Sequence, residues 1–236
     1  MIPIRDDQPR FSTPYITYFL VALNTLVFLF EFLTPVQNRA ALEYEFGIVP
    51  VHIEAALRGS AHFSLAGTLL PILTSMFLHG SWLHVIGNMW FLWIFGDNIE
   101  DYLGHFPFLI FYLLCGFAAA ITHIFLNPGS DVPTVGASGA IAGVMGAYFL
   151  LYPRAKVLTL IPLIVFFTFW WVPAWVMLGY WFLLQFLGGT LTSVNASVGN
   201  AGGMIAFWAH VGGFVAGLIL IKVMPRRVQR ERYAAW

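Results

Sequence analysis

The sequence predicts an all-α integral membrane protein: one bundle of six transmembrane helices, with a long outer loop between the first and the second. Three observations lead there. Of 236 residues 59% are hydrophobic and only 9% are charged, against about 25% charged in ordinary soluble domains. No Asp, Glu, Lys or Arg occurs from Val157 to Ile221, and a water-soluble fold cannot cover its surface with so little charge. Apolar runs also recur at lengths near the roughly 20 helical residues that cross a hydrocarbon core of about 30 Å.

Taken in order, the runs are Pro14–Leu33, Ser81–Phe95, Phe106–Leu126, Ser138–Tyr152, Val172–Thr190 and Met204–Val223. The first follows a short N-terminus, residues 1–13, and no A-x-A-like cleavage signature comes after it, so an uncleaved first helix is expected. Thr34 to Gly80 form the long loop, whose stretch AALEYEFGIVPVHIEAALRGS mixes apolar and charged side chains as an interfacial helix does. The apolar run Val157–Trp171 contains Pro162 and is followed by Pro173. It reads as a reentrant or surface-lying segment rather than a seventh span. Asp97, Glu100 and Asp101, just past the second run, are expected to be solvated.

Charge orients the bundle. With six spans both termini share one side, which holds Arg5, Arg10, Arg154, Lys156, Lys222, Arg226, Arg227, Arg230 and Arg232, while the other holds only Arg39 and Arg58. That asymmetry makes both termini cytoplasmic by the positive-inside rule. Formal net charge is zero, with no basic patch outside the tail, residues 224–236, so nucleic acid is not an expected partner. The tail would instead draw anionic lipid heads, at about 1 kcal/mol per basic residue near the surface. The single cysteine, Cys115, excludes an intrachain disulfide and a Cys-based zinc site. No repeat or linker divides residues 1–236, so a single domain is expected, and nothing specifies an oligomeric state.

Polar side chains inside a bilayer are costly, so each asks for a reason. The second, fourth and sixth helices all begin at the outer face. His84 and Asn88 lie in the first turns of the second, Ser138 opens the fourth, and His210 sits about two turns into the sixth. At roughly 1.5 Å of rise per residue, all four fall in the outer third of the membrane. His84 and Asn88 are four apart and share a helix face. Gly139 and Gly143 follow Ser138, and Gly213 and Gly217 follow His210, as small-xxx-small pairs that let backbones approach closely.

The chemistry that fits is a serine–histidine dyad. Ser138 would attack a carbonyl, and His210 would take its proton and return it to the leaving amine. Asn88, His84 and the backbone N–H at the start of the fourth helix would supply donors to the oxyanion. No Asp or Glu lies in the helix of His210 or in the one before it, so a dyad is expected, not a triad.

Three motifs carry a family resemblance: GASG (Gly136–Gly139), the H-x4-H-x3-N run from His79 to Asn88, and A-H-x-x-G-x-x-x-G (Ala209–Gly217). In that order on helices two, four and six they resemble the rhomboid family of intramembrane serine proteases, over nearly the whole chain. TSMFLHG and YPRAKV are similar to bacterial members. The resemblance implies a six-helix core, Ser138 as nucleophile, His210 as base, and His84 and Asn88 on the oxyanion side. It implies a structural role for His79, and Gly136 as part of the small-residue setting of the site. It also implies membrane-anchored substrates, single-span proteins among them, no cofactor or metal, and residence in a bacterial inner membrane.

Two positions depart from the family pattern. Leu70-Pro71 stands where many members carry Trp-Arg, and Ala142 where some carry a tyrosine that stacks on the histidine. Another group, an aromatic being the natural choice, must then hold His210. The stretch GNAGG before the sixth helix would rim a water-filled cavity.

Each feature also has a plainer reading. A serine among glycines in a membrane helix is commonly a packing residue, and a buried asparagine commonly bonds a neighbouring helix. Chance rarely delivers nucleophile, base and donors at one depth beside two glycine pairs. An inactive rhomboid-like protein that binds membrane clients is the main alternative, yet such relatives typically lack the serine or the histidine. A metal channel using His79, His84 and His210 has no carboxylate or thiolate to join them at that depth.

Overall fold

The computed structural model describes residues 1–60, 62, 64–162, 166–197 and 206–227. Arg230, Arg232, the stretch GNAGG and the expected start of the sixth helix at Met204 lie outside them. The chain runs β1 (Ile2–Asp6), α1 (Tyr15–Leu33), α2 (Val36–Phe46), α3 (Pro50–Leu57) and α4 (Leu65–Thr74). A 3-10 turn (Ser75–Phe77) leads to α5 (Trp82–Leu103), α6 (His105–Leu126) and α7 (Ser138–Leu151). Then come β2 (Lys156–Pro162), β3 (Phe167–Pro173), α8 (Ala174–Ser197) and α9 (Phe207–Val223).

The chain is an integral, multi-pass membrane protein. Among the described residues α1, α6 and α8 are long and apolar enough to cross a bilayer, and α4 with α5, bent by 76° at the break between them, adds a fourth if counted as one broken span. α7 and α9 are apolar but have 14 and 17 residues. At 1.5 Å per residue they reach about 21 and 26 Å, short of a full hydrocarbon core. Large apolar side chains point outward along the long helices, among them Leu26, Phe30, Leu83, Ile86, Trp93, Phe125, Leu183 and Leu187. In a bilayer these meet lipid.

α7 is the hub. Every residue from Gly139 to Tyr148 is buried, because GAIAGVMGA offers small side chains that let α5, α6 and α9 close around it. Phe95 of α5, Phe108, Phe111 and Tyr112 of α6, and Tyr148 of α7 are fully buried there. α5 passes directly into α6 through Gly104, whose φ of +87° suits a residue without a Cβ.

The all-helical expectation needs a correction. β1, β2 and β3 form an antiparallel sheet in that order, with Ile2 opposite Leu160, Asp6 opposite Val157, and Leu158 opposite Trp171. The run read as a surface-lying segment is the β2–β3 hairpin. Its β-branched and aromatic residues favour strand, and Pro162 and Pro173 stand at strand ends, where they break no interior ladder bond. The long loop, in turn, folds into α2, α3 and α4.

A second correction concerns the acidic residues of α5. Glu100 is fully buried and accepts from the Ile16 and Thr17 N–H groups at 2.9 and 2.8 Å. It satisfies donors that the first turn of α1 leaves unpaired and sits at the positive end of that helix dipole. Asp101, also buried, accepts from the Phe11 N–H at 3.0 Å and from the Ser12 hydroxyl. The N-terminal segment covers both carboxylates, so they anchor α1 rather than face water.

Candidate active site

Ser138 is the first residue of α7. The approach to it is fixed by Thr134, whose backbone pairs with Ile48, and by Gly136, whose N–H donates to the Ser75 carbonyl at 2.8 Å. Gly136 has φ +129°, and a Cβ there would stand 2.6 Å from His84 Nε2. The backbone thus passes directly over the imidazole of His84, an approach that only glycine permits.

His210 lies in the first turn of α9, its N–H donating to the Ala206 carbonyl at 3.3 Å. α9 meets α7 through glycine. A Cβ on Gly213 would stand 1.9 Å from the Gly139 carbonyl oxygen, and one on Gly217 equally close to that of Gly143. Gly139 and Gly143 are also closely flanked on α6, where an added Cβ would stand 2.5 Å from Ala119 and 2.4 Å from Cys115. This close contact brings His210 Nε2 to 2.7 Å from Ser138 Oγ. The two residues are 72 positions apart and share one hydrogen bond.

Two side chains of α8 complete the surroundings of the imidazole, and sequence reasoning missed both. Gln185 Oε1 lies 2.8 Å from His210 Nδ1. Trp181, one turn earlier on the same face, lies over the ring with centroids 5.7 Å apart and planes at 39°. It occupies the role left open by Ala142. A signal existed: Gln185 is the only amide, acidic or basic side chain between Lys156 and Asn195.

On α5, Asn88 is buried one turn below His84, and its Nδ2 has no hydrogen-bond partner among the described residues. A Cβ on Gly136 would come 3.6 Å from that nitrogen, so the donor faces the backbone just before Ser138. His79, 1% exposed, packs edge-on against His84 with ring centroids 5.1 Å apart, and its backbone N–H donates to the Glu31 carboxylate at 3.0 Å. His123 is buried. Its Nε2 lies 2.8 Å from Thr134 Oγ1 and ties the loop before Ser138 to α6. His105 pairs with Glu100 at 2.6 Å, at the opposite end of α5 from His84. Leu70 and Pro71 lie within α4.

A small cavity of about 30 Å³ opens beside Ser138, lined in part by Met76, Gly116, Ala119, His123 and Gly139. It is large enough for a water or a methyl-sized group. A larger one, about 210 Å³, lies within the long loop between Tyr44 and Pro71, away from the serine.

The chemistry-bearing residues all fall within the stretch that matches a known family. A rhomboid domain profile matches residues 66–227. Among curated proteins, "Rhomboid protein 1, mitochondrial" of Saccharomyces cerevisiae is 27% identical over 174 residues, covering 69% of this chain and 44% of that protein. "Presenilin-associated rhomboid-like protein A, mitochondrial" of Danio rerio is 37% identical over 100 residues, 41% of this chain and 26% of that protein. "Rhomboid-like protein 11, chloroplastic" of Arabidopsis thaliana is 36% identical over 78 residues, 33% of this chain and 28% of that protein. The chain therefore spans less than half the length of these relatives. All three are named as organellar, so the bacterial likeness read from TSMFLHG and YPRAKV does not reappear among them.

Proposed function

The chain belongs to the rhomboid family, and from that premise we propose that it is an intramembrane serine endopeptidase cutting membrane-anchored proteins with Ser138 as nucleophile and His210 as general base. The observation that carries this reading is the 2.7 Å approach of His210 Nε2 to Ser138 Oγ, which lies within the range for a base activating a nucleophile.

In this mechanism Ser138 Oγ attacks the scissile carbonyl carbon as its proton passes to His210 Nε2. Negative charge develops on the carbonyl oxygen. Asn88 Nδ2, the His84 side chain and the N–H groups at the start of α7 are its proposed donors, and that Nδ2 is buried with no hydrogen-bond partner among the described residues supports that role for Asn88. Collapse of the tetrahedral intermediate breaks the C–N bond, and His210 returns the proton to the leaving amine. Water then gives a proton to His210 and attacks the acyl carbonyl carbon; the ester C–O bond breaks, and His210 returns the proton to Ser138 Oγ. Only this chain's own side chains and backbone N–H groups, with water, take part; no cofactor or metal enters the proposal.

A peptide bond in a helix is shielded by its own hydrogen bonds, so the substrate segment must unwind before attack. Segments weakened by Gly or Pro are therefore favoured, and the small cavity beside Ser138 suits a small residue at the cut. We further propose that α1, α5, α6, α7, α8 and α9 are the six spans, with both termini on the basic, cytoplasmic side of a bacterial inner membrane. The charge asymmetry supports the orientation; membrane fractionation of the native host tests the compartment.

The test is cleavage of a single-span reporter in liposomes. Wild type should cut it, and Ser138→Ala and His210→Ala, each shown folded by a thermal melt, should not. Reporter binding without cleavage by wild type would overturn the protease reading in favour of a client-binding protein.

A further inference from the structure

His210 has two ring nitrogens, and only one can face Ser138. A neutral imidazole carries a single ring proton, and a general base needs that proton on the nitrogen remote from the nucleophile. In a triad an acidic residue secures this. Here no acidic residue occurs between Lys156 and Lys222, yet the remote nitrogen is not left alone. Gln185 Oε1 lies 2.8 Å from Nδ1, while Nε2 lies 2.7 Å from Ser138 Oγ. Both bonds are short, and they engage opposite edges of one ring.

We propose that Gln185 is a positioning residue that holds His210 as the Nδ1–H tautomer, so that the Nε2 lone pair is turned to the Ser138 hydroxyl. The inference rests on the reading of Ser138 and His210 as a dyad. An amide oxygen is an acceptor only, so its bond to Nδ1 requires the proton there. In the other tautomer Nδ1 is an acceptor, the amide must turn its NH2 edge to it, and an N–H faces Ser138 Oγ, leaving nothing to take the serine proton.

The arrangement also explains why an amide stands where other serine hydrolases place a carboxylate. A lone carboxylate at this depth would need a paired cation, and none is available in the charge-free stretch from Val157 to Ile221. Glutamine supplies the acceptor without bringing a charge into the bilayer. Trp181, four residues earlier on α8, packs against the ring in a tilted contact, 5.7 Å between centroids. Phe182 packs on Phe214 of α9 at 4.7 Å between centroids, fixing α8 against the helix that carries the base.

A merely structural glutamine would link α8 to α9 and do nothing else, so the test separates the two. Wild type, Gln185→Met and Gln185→Glu are compared in liposomes for kcat, KM and the pH dependence of kcat, with thermal melts for each. Labelling of Ser138 by a fluorophosphonate is followed in parallel. Methionine keeps the volume but loses the acceptor. It should lower kcat and the labelling rate by about 10- to 100-fold, within the range for general-base catalysis, with KM changed less than about twofold.

Glutamate keeps the acceptor and adds a negative charge beside the imidazole. It should recover activity relative to methionine and move the acid limb of the kcat profile to higher pH by about one unit or more. The inference is overturned if Gln185→Met keeps wild-type kcat and labelling, or if glutamate leaves the acid limb where it was. If Gln185→Met does not fold, the glutamate profile alone decides. Wild-type protein that neither cuts nor labels at Ser138 would overturn the underlying dyad instead, which is a distinguishable result.

Discussion

Gly213 of α9 rests on the backbone of Gly139 of α7 so closely that a single added methyl group would stand 1.9 Å from the Gly139 carbonyl oxygen. The obstacle is backbone, which cannot swing aside as a side chain would. Gly213→Ala must therefore push α9 away from α7. Overpacking of this kind costs typically about 1–3 kcal/mol. The expected outcome is a lower melting temperature together with loss of cleavage, since separation of the helices also separates His210 from Ser138. A variant that melts and cuts like wild type would contradict the packing.

Gly136→Ala tests a different constraint. Its φ of +129° disfavours any side chain, and a Cβ would lie 2.6 Å from His84 Nε2. Backbone strain of this kind costs about 1–3 kcal/mol. The variant should lose most activity with a moderate fall in melting temperature, because the loop carrying Ser138 is displaced while the bundle below it stays intact. Reporter cleavage and a thermal melt on the same sample check both halves.

Asn88→Ala should separate catalysis from stability. Loss of one oxyanion donor lowers turnover by about 10²–10³-fold. Because Asn88 Nδ2 has no partner among the described residues, its removal breaks no hydrogen bond at that atom, and the melt should move little. A large stability loss with unchanged kcat would assign Asn88 to helix packing instead.

Asp6 makes a pH prediction on the face remote from Ser138. It ends β1 and accepts a hydrogen bond from the hydroxyl of Tyr148, on the same helix as Ser138. Burial pushes its carboxyl up to about 6, against the lowering effect of that hydrogen bond. A folded-state value above the unfolded one means the neutral form is favoured in the fold. Its contribution to stability is present in full below about pH 4 and is lost as the pH rises through about 6. Asp6→Asn, which stays neutral, should flatten the dependence of melting temperature on pH between about 4 and 7 relative to wild type. An unchanged slope would show that other groups set it.

The residues of the candidate site were legible in the sequence for a physical reason. Ser138, His84, Asn88 and His210 are polar groups in apolar helices, and a fixed rise per residue converts their positions into a common depth. The glycines beside them were legible because backbone contact tolerates nothing larger. Gln185 and Trp181 were not, since which face of α8 meets α9 is settled by packing and not by a helix that is apolar all round. The sheet was hidden for another reason: β1 pairs with a strand about 150 residues away, and no local pattern announces such a partner. Glu100 and Asp101 read as end-of-helix charges because the N-terminal segment that covers them lies more than 80 positions away in the sequence.

The most direct measurement of the central claim is fluorophosphonate labelling in liposomes, mapped by mass spectrometry, for wild type and a folded His210→Ala variant. The account predicts covalent modification at Ser138 alone in wild type, slowed by about 10³-fold or more without the histidine, as expected of residues that act as a unit. Modification at another serine, or labelling of Ser138 at the same rate in both proteins, would contradict it.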